Sequence, residues 1–283
     1  LQSKSNNFLA SIYFGKKQIG VSFLDVSTGE FLTAQGNDEY IDKLLQNFNP
    51  SEVLIPKIHK NNFRETFGEE YHHFYLEDWV YKEDYAIETL TNHFQTATLK
   101  GFGIEELSEG IIASGAILYY LSETQHNKRQ HITTIQRIAE DAYVWMDRFT
   151  IRNLELYHSY NPSAVTLLDV IDKTLSPMGG RLLKRWMALP LKDSKKILSR
   201  HEVVGYLKNN QEILKSIQFQ IKQISDLERL ISKIAAGKVT PREVVYLKDS
   251  LDAILPIKAL ALESEQKSVK TIGQQLDSCD VLR

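Results

Sequence analysis

Two spacings of apolar positions divide the chain. In the first stretch they alternate: FLASIYF (8–14) and IGVSFLDV (19–26) are rich in β-branched and aromatic residues, with GKKQ (15–18) between them. This predicts a hairpin. A turn follows, in which Asp25, Ser27 and Thr28 suit side-chain-to-backbone bonds and Gly29 supplies positive φ; it leads to a third strand, EFLTA. DEYIDKLLQNF (38–48) then takes helical spacing and stops at Asn49-Pro50. A short buried strand at 51–56, a helix at about 58–67, a strand near 71–76 and helical residues to about 97 complete the stretch.

From about residue 107 the period changes to that of a helix. LSEGIIASGAILYYLSETQ (107–125) reads as one helix, and ITTIQRI and AYVWMD as short extended pieces. Residues 213–235 set Ile213, Ile217, Ile221, Ile224, Leu227, Ile231 and Ile234 on one stripe, which predicts a single helix. Thr240, Pro241 and Glu243 form a strong helix start, with Val244, Leu247, Leu251 and Ile254 on the apolar face and Pro256 expected to kink or end the helix. Three meandering strands followed by helix–strand alternation give an α/β domain with a mixed sheet, the order of a ribonuclease H-like fold. We place it at residues 1–126, with helix 107–125 at the junction, and an all-α helical bundle at 127–283.

Composition narrows the class. A chain of 283 residues has length for about two domains. No apolar run approaches the roughly 20 residues of a membrane span, so no membrane partner is expected. The start, LQSKSNNFLA, has neither a signal pattern nor an initiating methionine, so a piece of a longer chain is expected. Cys279 is the single cysteine, which fits a reducing, cytoplasmic setting, and its neighbours offer nothing to activate a thiolate. Residues 1–100 carry nine Lys/Arg against fourteen Asp/Glu, a net of −5, and the remainder carries +3. That is not the basic footprint of a domain whose main task is to grip a duplex.

The chemistry centres on LSPMGGRLLKRWMALPL (175–191). A phosphate-binding loop needs GxxxxGK[ST] fed by a strand, whereas Gly179-Gly180 is followed by Arg181-Leu182. The alternative is a helix capped by Ser176, with Pro177 in its first turn, Leu182, Leu183, Trp186 and Met187 buried, and Pro190 as the stop. Glycines in a first turn then imply close approach of another backbone. Lys184 and Arg185 are weak candidates for nucleic-acid contact; the plain reading is a solvated basic face.

The other groups assemble no site. A two-metal nuclease needs converging acids, but the first strand has none and turn capping accounts for Asp25. His72 and His73 point to opposite faces of a strand. His126 and His131 flank a loop without carboxylate or cysteine at ligand spacing. GFG (101–103) lacks the continuation of a dinucleotide loop. No nucleophile, base and oxyanion hole come together, so no catalytic, cofactor or metal residue is expected.

Five segments carry a family resemblance. FTIRNLELYHS (149–159) resembles the TRRNLEL segment of the MutS DNA mismatch repair family, and LLDVIDKTLSPMGGRLLKRWMALPLKD (167–193) its LL-LD-T-MG-RLL-W-PL-D signature. ISDLERLISKIAAGKVTPREVVYLKDSL (224–251), GVSFLDVSTGEF (20–31) and GFGIEEL with ILYYLSETQ (101–125) are similar to further stretches, in the family's order. NPSAV (161–165) and Phe149-Thr150-Ile151 depart from the usual pattern. The resemblance implies a connector domain without catalytic acids, joined to the first part of the helical core and lever. It implies a non-enzymatic fragment of an ATPase that needs ATP and magnesium elsewhere in the parent. It also implies mismatched double-stranded DNA as the parent's target, a MutL-type protein docking at the connector, and a homodimeric parent with this piece a monomer. The rivals are a metal-dependent ribonuclease H-like nuclease with a helical appendage and a protein-binding helical scaffold.

Overall fold

The computed structural model describes residues 3–125, 129–157, 159, 161 and 163–282. It divides into two compact units. One comprises Asn6–Glu140 and Trp145–Glu155; the other comprises 3–5, Asp141–Val144 and 156–282. The expected junction at residues 126 and 127, and His126 with it, lie outside the described residues.

The first unit is built on a mixed sheet. Its strands are β1 (Phe8–Phe14), β2 (Ile19–Asp25), β3 (Glu30–Gly36), β4 (Glu52–Pro56), β5 (His73–Leu76) and β6 (Gln136–Arg137), in the order β5-β4-β1-β2-β3-β6. β1 and β3 each run antiparallel to β2 in a meander, with Phe8 opposite Asp25 and Ile19 opposite Gly36. β4 joins β1, β5 joins β4 and β6 joins β3, all in parallel. Six of the seven residues of β2 are buried, as a strand covered on both faces requires.

Helices α1 (Asp38–Phe48), α2 (Lys60–Phe67), α3 (Glu83–Phe94) and α4 (Ser108–Gln125) pack around this sheet. Asn37 caps α1 by accepting the Tyr40 amide at 2.8 Å, and Asn49 ends it in the left-handed region. α4 lies against β1, β2 and β3. Gly20 is what permits its approach, because a Cβ there would stand 2.0 Å from the Glu109 carbonyl oxygen. Buried hydroxyls bridge the same seam: Ser114 Oγ donates to Ser22 Oγ at 3.0 Å, and Thr33 Oγ1 donates to the Gly110 carbonyl at 3.1 Å. A short helix, α5 (Arg148–Asn153), capped by Asp147, closes the unit.

The second unit is helical: α6 (Leu167–Ile171), α7 (Pro177–Ala188), α8 (Ser194–Asn209), α9 (Gln211–Ile221), α10 (Leu227–Ala235), α11 (Pro241–Glu263) and α12 (Lys267–Gln275). Its long member, α11, packs against α9, α10 and α12. A capping box starts it: Thr240 accepts the Glu243 amide, and Glu243 accepts the Thr240 amide at 2.9 Å.

Three expectations need correction. The single helix over 213–235 is two, because the chain leaves helical geometry after Ile221 and restarts at Asp226, whose side chain caps α10 by accepting the Arg229 amide. The continuous stripe concealed this break, and Ile231 and Ile234 lie exposed while Leu230 is the buried position. α11 does not end at Pro256 but runs through it to Glu263; packing by α9 and α12 outweighs one missing backbone bond. On α7, Leu182 and Trp186 are exposed, and the buried residues are Gly180, Arg181 and Ala188.

Candidate functional site

The glycine corner is consumed by its own fold. Ser176 Oγ accepts the Gly179 amide and the Ser176 carbonyl accepts the Gly180 amide, each at 3.1 Å. Both amides that could face a phosphate therefore have partners within the first turn. What closely approaches the glycines is a side chain. The stem of Lys4 passes so near that a Cβ on Gly180 would stand 2.8 Å from its Cγ and Cδ.

Lys4 belongs to a three-residue strap that lies on the helical unit. Its Nζ donates to both oxygens of Asp172 and to the Thr174 carbonyl, all at 3.1 Å. Asp172 also accepts the Thr174 amide at 3.0 Å and the Thr174 hydroxyl at 2.5 Å. The Thr174 hydrogen bond leads in holding this carboxyl below the usual carboxylate range, with Lys4 adding to it. The strap is tied twice more, by Arg181 to the Ser3 carbonyl at 2.7 Å and by Arg229 to the Ser5 carbonyl at 2.9 Å.

Arg181 is the centre of the corner. It is 4% exposed, and its guanidinium makes five hydrogen bonds, the full donor set of that group. Nη1 and Nη2 form a fork on Asp226 at 2.8 and 2.6 Å; Nε and Nη2 reach Glu228 at 3.1 and 2.6 Å. Burial disfavours the charge on Arg181, but these bonds outweigh burial and hold the group firmly protonated. Burial likewise pushes Asp226 up, while the Arg181 bonds prevail and bring it below its ordinary value. The arrangement is an internal clamp joining α7, the cap of α10 and the strap.

Of the two basic candidates, Lys184 is half-buried and donates to Ser5 Oγ, and its carbonyl accepts the Tyr157 hydroxyl at 3.2 Å. Burial lowers its pKa, aided by Lys4 and opposed by Asp172 and Asp169. Arg185 is half-buried on the same helix. Trp186, exposed on one side, is covered on the other by Arg200, whose guanidinium stands 3.6 Å from the ring centroid.

Other sequence candidates fall into structural roles. Asp25 is fully buried and accepts from the Ser27 amide and hydroxyl, the Asn6 side chain and the Asn7 amide at 2.7 to 3.2 Å. It caps its turn. His73 meets Tyr75 edge-on at 5.0 Å and lies tilted beside Phe63 at 6.0 Å. His131 Nε2 stands 2.7 Å from the Val26 carbonyl. Among the described residues no three His, Cys, Asp or Glu side chains are grouped to hold a metal ion, and no helix is long and apolar enough to cross a membrane. Sequence reasoning missed Lys4, Asp172, Asp226 and Glu228. The one available signal was an acidic pair at Asp226 and Glu228 flanking a helix start.

The family profile of MutS domain II matches residues 7–133, and that of MutS domain III matches residues 149–281. The chain is 80% identical over 283 residues to the DNA mismatch repair protein MutS of Flavobacterium johnsoniae, covering 100% of this chain and 33% of that protein. It is 67% identical to the protein of that name from Christiangramia forsetii, covering all of this chain and 32% of that protein. For the one from Bacteroides thetaiotaomicron the identity is 53%, with 33% of that protein covered. The chain thus spans about a third of the length of the curated relatives it matches. It belongs to the MutS family, of which it carries domains II and III.

Proposed function

We propose that this chain is the connector and core portion of a MutS-type mismatch-recognition ATPase, acting in the cytoplasm. It carries conformational change between an ATPase and a DNA clamp supplied by the rest of the parent, and its first unit offers a docking surface for a MutL-type partner. The first unit is a connector of ribonuclease H-like fold without catalysis; its Asp25 serves a turn rather than a metal. The second unit is the helical core and begins the lever. ATP and magnesium act in the parent protein, which works as a homodimer on mismatched duplex.

The observation that carries this reading is the Arg181 clamp. The most motif-like stretch of the chain directs its polar groups inward, to Asp226, Glu228 and the strap, as a transmitting core requires and a ligand site does not. Packed elements with two discrete arrangements are the physical means of such transmission. Lys184 and Arg185 remain the candidates for any contact with DNA.

Isothermal titration tests the proposal. The chain alone should give no heat with ATP and magnesium, and in the parent protein Arg181→Met should weaken ATP-driven release from mismatched duplex while leaving ATP affinity unchanged. ATP binding by the chain alone in the micromolar range would overturn it.

A further inference from the structure

The α/β unit carries an aromatic group that its packing uses only in part: Tyr85, Tyr119 and Tyr120 pack against the core on one side, while Phe74 and Trp79 stay exposed. Five aromatic rings gather there in two groups, joined through the adjacent residues Tyr119 and Tyr120 of α4. Phe74 on β5 meets Tyr120 on α4 with centroids 5.7 Å apart. Beside Tyr120, Tyr119 meets Trp79 edge-on at 5.2 Å, and Tyr85 on α3 closes a triangle with Trp79 at 5.2 Å and Tyr119 at 6.2 Å. Phe74 and Trp79 are 48% and 45% exposed, on a unit whose other large apolar side chains are mostly buried. β5 is also the last strand at its end of the sheet. Partly exposed rings gathered beside an edge strand have the composition of a binding hot spot, since Trp and Tyr supply large area at small entropy cost.

The charges beside the rings state what kind of partner fits. Glu52 accepts from the Tyr120 hydroxyl at 3.4 to 3.5 Å. Glu77 and Glu123 are close enough to Tyr119 to disfavour its ionisation, after the larger effect of burial. Glu77 already holds an ammonium group, that of Lys57. Carboxylates around exposed ring faces repel a phosphate backbone and attract cations. Among cations they favour the guanidinium, which stacks on a ring and takes a carboxylate in its plane at once.

We propose that this aromatic edge is the docking surface for an arginine-bearing segment of a protein partner, seated over Trp79 and Tyr119 with its guanidinium groups on Glu123 and Glu52. The assignment rests on the docking part of the proposal above and adds to it the surface and the chemistry of the partner.

The purified chain is titrated with an arginine–glycine peptide, with the lysine and glutamate peptides of the same spacing, and with a short duplex, read by backbone amide resonances. The arginine peptide should shift residues 74–85 and 119–123, the lysine peptide should bind at least about threefold more weakly, and neither the glutamate peptide nor the duplex should compete. Trp79→Ala should lower arginine-peptide affinity about tenfold. Glu123→Lys, at an exposed position that leaves the fold intact, should do the same. Affinities within about twofold of the unaltered chain in both variants would overturn the assignment, as would competition by the duplex for the same residues. Binding of the MutL-type partner to the unaltered chain tests the docking reading separately. Loss of that binding with the arginine peptide still bound sinks the docking reading alone; partner binding that survives both variants sinks the surface assignment alone.

Discussion

Replacing Arg181 by methionine removes five hydrogen bonds and one charge while keeping most of the buried stem volume. Two carboxylates lose their partner unequally. Glu228 is 47% exposed, so water screens its loss. Asp226 is 18% exposed and is left with the more distant Arg229 at 3.8 Å, so it carries the cost. Removing one partner of a buried pair costs about 3–5 kcal/mol, and the remaining solvent access of Asp226 puts this variant at the lower end, about 3 kcal/mol. For a helical unit of this size that lowers the unfolding midpoint by about 10 °C. The loss should register in amide exchange of α7 and α10, with the β1–β3 meander unaffected. A double-mutant cycle sharpens the test. Asp226→Asn in the Arg181→Met background should recover part of the loss, since no orphaned charge remains, giving a coupling of about 2 kcal/mol. A midpoint within about 2 °C of the unaltered chain, or strictly additive losses, would refute the view that this pair is a buried clamp.

Four further outcomes follow from the same geometry. Gly20→Ala forces a Cβ against the Glu109 carbonyl and should cost about 3 kcal/mol in urea unfolding, or prevent folding of the first unit. Gly180→Ala gains about 1 kcal/mol of helix propensity but displaces the Lys4 stem, so thermal stability should hardly change while trypsin cleaves after Lys4 faster. His93 is kept neutral chiefly by burial, with its Nε2–H donating to the Ile132 carbonyl at 2.8 Å. Its folded pKa lies below the unfolded value near 6.5, so its contribution is complete above about pH 6.5 and is lost as pH falls through the folded pKa; His93→Gln should flatten the urea midpoint over that range. Thr240→Ala removes the cap of α11 and should cost about 1 kcal/mol, seen as faster exchange in its first turn.

What the sequence revealed and what it concealed differ in range. The hairpin, the third strand, the Asp25 turn and the capped start at Ser176 depend on neighbours within a few residues, and alternation, turn chemistry and capping express those directly. The α9–α10 break was written locally too, in Asp226, but a stripe of isoleucines at helical spacing spoke more loudly than one capping residue. The clamp could not be read that way. An arginine beside Lys184 and Arg185 has the local pattern of a solvated face, and only its partners 45 and 47 residues on turn it inward. The paired glycines gave the nearest hint. They implied that something passes close to the helix, but a lysine stem from a segment with no periodicity of its own leaves no mark at that distance in sequence. An arginine that read as part of a solvated basic face thus became a buried joint. The face with an open chemical role, the aromatic edge at Trp79, lay in the acidic half, where no motif pointed.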